Sequence, residues 1–321
     1  AGATLFISGF NTTRIDTANR HLLLGRLTLL DLIAQVIGIV AMVVLAFVMR
    51  SVWALVLGAI VGTVAKLVLT QWGLPGHRNR LKWEPQAGHE LIHFGKWIFL
   101  STACGFLLSQ GDKAILGAYL HLDALGVYNI GYFLASFPVL LGGAVTGRIL
   151  IPIYRDHPPA SSPENFARLR KLRFALTGGM LALLAVMGFV GAPLVDLLYD
   201  ARYAKAEAIV VAIACVQMPL VIGMTYDQSA LAAGDSRNYF LVMAARAGLQ
   251  TLLFWLGAAY LGLQGALFGQ FIAITAMHPL IVWLARRHRA WDLRHDALFG
   301  TAAVLLLAAI LMWNSDLLFQ L

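Results

Sequence analysis

Residues 26–72 read RLTLLDLIAQVIGIVAMVVLAFVMRSVWALVLGAIVGTVAKLVLTQW, and this stretch decides the fold class. Two runs, 26–49 and 51–72, are almost continuously apolar and are separated only by Arg50 and Ser51. At a rise of 1.5 Å per residue, each helix is long enough to cross a hydrocarbon core of roughly 30 Å. The connection leaves no room for a folded domain, so the pair reads as a membrane hairpin. Outward from it the pattern repeats. With the first two labelled A and B, further apolar spans C to I lie at about 94–120, 124–147, 174–198, 206–226, 239–261, 263–285 and 296–314. The chain is therefore expected to be all-α, a polytopic membrane helix bundle of about nine transmembrane helices.

The charges orient it. Nineteen of the 24 Lys and Arg residues fall in every second gap between spans. Arg14, Arg20 and Arg26 precede A; Arg78, Arg80, Lys82 and Lys96 lie between B and the start of C. Arg148, Arg155, Arg168, Arg170, Lys171 and Arg173 lie around the D–E gap, Arg237 and Arg246 around F–G, and Arg286, Arg287, Arg289 and Arg294 in H–I. The opposite gaps hold only Arg50, Arg202 and Lys205. Positive loops stay in the cytoplasm, so the C-terminus is expected outside. Trp53 and Trp313 then mark outer span ends, and Trp72, Trp83, Trp97, Trp283 and Trp291 inner ones, as an interfacial belt requires.

Hydrophobic residues make up 60% of the chain and charged ones only 12%, about half the charge of a soluble domain. The net charge of +8 is confined to one side, which points to lipid headgroups or an anionic substrate rather than nucleic acid. Cys104 and Cys215 both lie within spans and define neither a disulfide nor a metal framework. The chain opens with Ala in the middle of an apolar stretch, Leu5-Phe6-Ile7, and reads as a fragment lacking an upstream part. Exterior loops are too short for a domain. The longest interior connection, Pro152 to Arg173, reads as a flexible Pro-rich loop followed by a basic stretch suited to the membrane surface.

Polar residues inside spans are costly in lipid and face a cavity or a partner helix. Asp112 and Lys113 lie about 24 Å along span C from Lys96. Ser101, Gly105, Ser109 and Asp112 share one helix face, as do Asn129, Tyr132 and Ser136 in span D. Span A carries Asp31, Gln35 and Gly38, span G carries Arg246 and Gln250, and span H carries Gln270 and His278. Such stripes line a polar cavity or simply glue helices together; for Asp112 the cavity reading prevails, because a carboxylate that deep needs a partner or water. Lys66 is expected to snorkel to the inner surface. Pro138, Pro193, Pro219 and Pro279 interrupt four spans and are either flexing points or tolerated kinks.

His89-Glu90-Leu91-Ile92-His93 matches the zinc-protease pattern of two His one helical turn apart with a Glu between them. It lies at the membrane boundary, and the following Phe94-Gly95-Lys96-Trp97 supplies no third ligand, so it reads as an amphipathic lead-in to span C.

Several segments carry a family resemblance. Phe94-Gly95-Lys96-Trp97-Ile98-Phe99, Gly111-Asp112-Lys113-Ala114-Ile115-Leu116-Gly117 and Leu125-Gly126-Val127-Tyr128-Asn129-Ile130 resemble the Wzx-type polysaccharide flippases. These belong to the multidrug/oligosaccharidyl-lipid/polysaccharide exporter superfamily. Trp53-Ala54-Leu55-Val56, Leu198-Tyr199-Asp200-Ala201-Arg202-Tyr203 and Ala232-Ala233-Gly234-Asp235-Ser236-Arg237 are similar to the family too. The resemblance implies a two-lobe transporter with an incomplete first lobe. Residues 1–72 would end the N-terminal lobe, 73–90 would link the lobes in the cytoplasm, 91–285 would form the C-terminal six-helix lobe, and 286–321 an additional helix. It further implies a non-enzymatic flippase that moves an oligosaccharide on a polyprenyl pyrophosphate carrier to the outer leaflet, without cofactor. On that plan Arg246 and Lys113 would meet the pyrophosphate and Arg148 would receive it at entry. Asp112 would bind a coupling H+ or Na+ or hold the cavity's arginines, and Asn129 and Gln250 complete the candidate set. The competing readings are a cation-coupled multidrug exporter of the same superfamily and a membrane enzyme, either a zinc protease through His89, Glu90 and His93 or a sugar polymerase.

Overall fold

The computed structural model describes residues 2–20, 23–75 and 84–318. Arg78, Arg80, Lys82 and Trp83, in the expected interlobe linker, lie outside the described residues, as do the side chains of Arg20 and Glu90. The described residues form two compact units, Ala1–Glu84 and Pro85–Leu321.

The first unit comprises α1 (Gly2–Ser8), α2 (Arg14–Arg20), α3 (Leu24–Met49) and α4 (Trp53–Gly73). The last two are spans A and B, turned by Arg50 in a left-handed conformation whose N–H reaches the Ala46 carbonyl. Gly38 and Gly62 let the two backbones approach; a Cβ added at Gly38 would lie 3.1 Å from the Gly62 Cα. Small residues at a helix crossing serve this purpose in membranes. Lys66, expected to snorkel, instead pairs with Asp31 at 2.9 Å. Within the span, a carboxylate one helix away is a better partner than distant water.

The second unit comprises α5 (Pro85–Tyr119), α6 (Leu122–Asp156), α7 (Pro163–Leu198), the short 3-10 turn Ala201–Tyr203, α8 (Lys205–Ala232), α9 (Ser236–Arg287), α10 (Leu293–Trp313) and α11 (Ser315–Leu318). α6 and α7 run past their apolar limits, so the expected loop between them shrinks to residues 157–162. Ser162 starts α7 by accepting from the Asn165 N–H, with Pro163 at the first helical position, where a missing N–H costs nothing. The basic stretch Arg168–Arg173 is therefore the first part of a spanning helix, not a separate surface segment.

α9 contains spans G and H. Its 52 residues would extend about 78 Å if straight. Gly262 breaks it with φ 62° and ψ −144°, a conformation open essentially to glycine alone. The arms fold back so tightly that a Cβ at Gly257 would lie 2.0 Å from the Gly265 carbonyl oxygen, and one at Gly269 2.2 Å from that of Leu253. Eight helices are long and apolar enough to span, and α9 does so twice, which makes nine crossings among the described residues. The protein is thus a multi-pass, all-α membrane bundle.

α8 is the axis of the second unit. It packs against α6, α7, α9 and α10 and is buried along most of its length, while α5 packs mainly on α9. Leu116, Tyr128, Ile209, Ile213 and Phe254 form one part of the core, and Leu184, Met218, Val221 and Ile310 another. Elsewhere Phe99, Phe106, Phe133, Leu197 and Val304 are exposed, as lipid-facing side chains must be. Trp53, Trp72 and Trp313 stand exposed at span ends.

Candidate functional site

Two buried polar clusters occupy the second unit. The first joins α5, α6 and α8. The Tyr128 hydroxyl donates to Asp112 Oδ2 at 2.7 Å, with Tyr128 fully buried and Asp112 only 7% exposed. Asp112 Oδ1 is buried and accepts no hydrogen bond. Lys113, about 100° round the helix, makes no ion pair with this carboxylate. Its Nζ donates to Gln110 Oε1 at 3.3 Å and lies 5.0 Å from the Tyr132 ring centre. One further turn along α6, Ser136 accepts from Gln217 Nε2 of α8 at 2.8 Å, leaving Gln217 Oε1 buried without a partner. Tyr128, Tyr132 and Ser136 thus form a polar line on α6. Asn129 is half-buried beside it.

The second cluster lies at the other end of the bundle, where most basic residues sit. Arg246 of α9 faces Asp227 of α8 at 3.7 Å, and both side chains are largely buried. Arg173 of α7 is fully buried. Its guanidinium bonds the Tyr154 hydroxyl and lies 4.7 Å from the centre of the Tyr226 ring, and its Nη1 has no hydrogen-bond partner. Tyr154 in turn donates to the Thr225 carbonyl at 3.0 Å. Tyr226 donates to Asp296 Oδ1 at 2.7 Å, and Trp291 Nε1 donates to Oδ2 at 2.8 Å. His278 and His295 flank the same carboxylate at 3.3 and 3.0 Å. Arg170 pairs with Asp292. A cavity of about 390 Å³ between α8, α9 and α10 is walled by Met218, Phe271 and Val304, with His278 and Asp296 its polar wall.

Of the residues singled out in the sequence, the structure joins Asp112 to Tyr128 and Arg246 to Asp227. Among the described residues no arginine pairs with Asp112. Gln250 is half-buried one turn from Arg246 on α9, and Arg148 is exposed on α6. Asp227, Arg173, Tyr226 and Asp296 were missed as site residues. Asp227 escaped because span F was ended at the first charge, whereas α8 continues to Ala232. Arg173 was counted only as a basic residue near a span start. His89 and His93 are exposed with their rings 6.5 Å apart, and the described residues contain no group of three His, Cys, Asp or Glu able to hold a metal.

Fold and buried charge together define a helical membrane protein with polar clusters buried between its spans. The backbone matches the Vibrio cholerae MATE transporter VcmN in its bent form, with a TM-score of 0.61 at 19% identity, over 89% of this chain and 66% of that one. A family described as polysaccharide biosynthesis protein matches residues 1–208, and the chain belongs to that family. It is also 23% identical over 161 residues to the teichuronic acid biosynthesis protein TuaB of Bacillus subtilis, covering 48% of this chain and 32% of that protein. The chain spans less than two thirds of either protein.

Proposed function

We propose that the chain is part of a flippase that moves a lipid-linked oligosaccharide from the cytoplasmic to the outer leaflet of a bacterial inner membrane. The observation that carries this reading is Asp112: a buried intramembrane carboxylate with one oxygen held by Tyr128 and the other without a donor, in a chain of a polysaccharide biosynthesis family. A buried charge of this kind is expensive unless it takes up a proton, a cation or a donor from a substrate. Asp112 is thus the proposed coupling group for an H+ or Na+ gradient. A sugar headgroup cannot enter hydrocarbon without losing its water, and a polar path between helices shields it while the prenyl tail stays in the bilayer.

Lys113, whose ammonium bonds one side-chain amide and lies over a ring face, is the proposed partner of the pyrophosphate, with Arg148 at entry and Arg246 deeper. Asn129 and Gln250 are proposed as hydroxyl partners. Residues 1–72 are assigned to the end of the N-terminal lobe, 73–90 to the linker, 91–285 to the C-terminal lobe and 286–321 to an added helix. The basic end faces the cytoplasm and the C-terminus the outside. The reaction is transport, and the chain is not an enzyme. Cation-coupled drug export is the second reading, favoured by the MATE transporter whose fold it shares.

The test expresses the full-length parent, wild type or Asp112→Ala, in a strain lacking its own exporter with a matched glycan. Surface polysaccharide restored by wild type and lost in the variant at equal membrane abundance supports both function and site. No restoration by well-expressed wild type overturns the flippase reading and leaves drug export to be assayed.

A further inference from the structure

The His89–His93 motif is absorbed by no metal site, yet it lines a cavity of about 630 Å³ at the basic end of the second unit. One wall is the start of α5, with His89, His93, Phe94 and Trp97; the other is the α8–α9 turn, Gly234 to Arg237. Four-residue spacing puts the two imidazoles on one face of α5, nearly parallel at 22°. Each offers an N–H donor in either charge state. Across the cavity Arg237 is exposed and makes no ion pair among the described residues. Lys96 adds a second cation, its Nζ 5.4 Å from the Trp97 ring centre.

The single carboxylate of the lining among the described residues is already committed. Asp235 caps α9 and accepts from the Asn238 side chain at 2.8 and 2.9 Å, while Arg287 and His288 approach it at 3.4 and 3.2 Å. Although partial burial pushes its carboxyl up, Asn238, His288 and Arg287 hold it below the usual carboxylate range. With Asp235 so engaged, Arg237 and the two imidazoles remain as the donors of the described lining. The cavity's apolar lining is aromatic, with Phe94 39% exposed and Trp97 packed on Phe240 at 5.4 Å. Donors for an anion next to an apolar, lipid-facing rim match an amphiphile better than a soluble ion.

We infer that His89, His93 and Arg237 form a binding site for the phosphoryl headgroup of a membrane lipid, whose chains lie against Phe94 and Trp97. The chemistry is shared by an anionic phospholipid and by a prenyl pyrophosphate. Only the second source rests on the proposed transport reading.

The experiment uses the purified full-length parent in detergent, with bound lipid counted by native mass spectrometry. The probes are short-chain phosphatidylglycerol, short-chain phosphatidylcholine, farnesyl pyrophosphate and inorganic pyrophosphate. The variants are Arg237→Gln and His89→Gln/His93→Gln, with Lys171→Gln as a basic-residue control; all four positions are accessible, and a monodisperse gel-filtration peak verifies folding. Phosphatidylglycerol or farnesyl pyrophosphate is expected to bind wild type about fivefold or more tightly than either site variant, with the difference shrinking in high salt and absent in the control. Loss for phosphatidylglycerol identifies a phospholipid site, and loss for farnesyl pyrophosphate alone identifies the transported class. Equal binding by wild type and variants, equal binding of phosphatidylcholine, or equal binding of inorganic pyrophosphate overturns the inference.

Discussion

Asp112 and Tyr128 show what one side chain can control inside a membrane. The tyrosine hydroxyl is the carboxylate's side-chain donor, so Tyr128→Phe removes the bond to Oδ2 in a buried site. Thermal unfolding in detergent is expected to show a loss of about 1–3 kcal/mol. Asp112→Asn in the Tyr128→Phe background should recover part of it, because a neutral amide is cheaper to bury. A double-mutant cycle with no coupling would argue against the interaction. At the basic end, Arg173→Met replaces a buried cation by a chain of similar length. It should preserve more stability than Arg173→Ala, which also opens a cavity and is expected to cost about 2–4 kcal/mol.

At the scale of elements, the turn from α8 to α9 and the reversal within α9 decide how the bundle closes. Asp235 serves as the N-cap of α9, accepting from the Asn238 N–H at 3.3 Å. Its lowered carboxyl supplies stability that is present at neutral pH and lost as pH falls below the ordinary carboxylate range, through the lowered value. Asp235→Ala is expected to cost about 1 kcal/mol at pH 7. Asp235→Asn should keep most of the cap while flattening the acid side of the stability profile, which unfolding midpoints across pH would reveal. Gly262→Ala forces a Cβ into a backbone region reserved for glycine, at a cost of about 1–3 kcal/mol. Gly265→Ala adds a steric clash, since its Cβ would meet the Gly257 carbonyl oxygen at 2.3 Å. Both variants should expose this hairpin to protease, whereas Gly248→Ala, with open space around it, should not.

For the whole molecule, the basic connections set the expected orientation. Fusions of a reporter that folds only in the cytoplasm should be active after residue 159 and inactive after residue 123 or at the C-terminus. A reporter active only outside should give the opposite pattern. Reversal at all three positions would invert the proposed topology and place the His89–Arg237 cavity on the outer face.

Number, type and approximate limits of the spans were legible in the chain, down to the reversal between Leu261 and Leu263. Partition of an apolar run into hydrocarbon depends on that run alone, and a helix satisfies its own backbone wherever it lies. The depth of Asp112 was legible for the same reason. Its bond to Tyr128, the pairing of Arg246 with Asp227 and of Lys66 with Asp31, and the burial of Arg173 among tyrosines were not. These depend on how each helix is rotated against its neighbours and on which neighbours it has, so only the tertiary structure decides which polar residues meet.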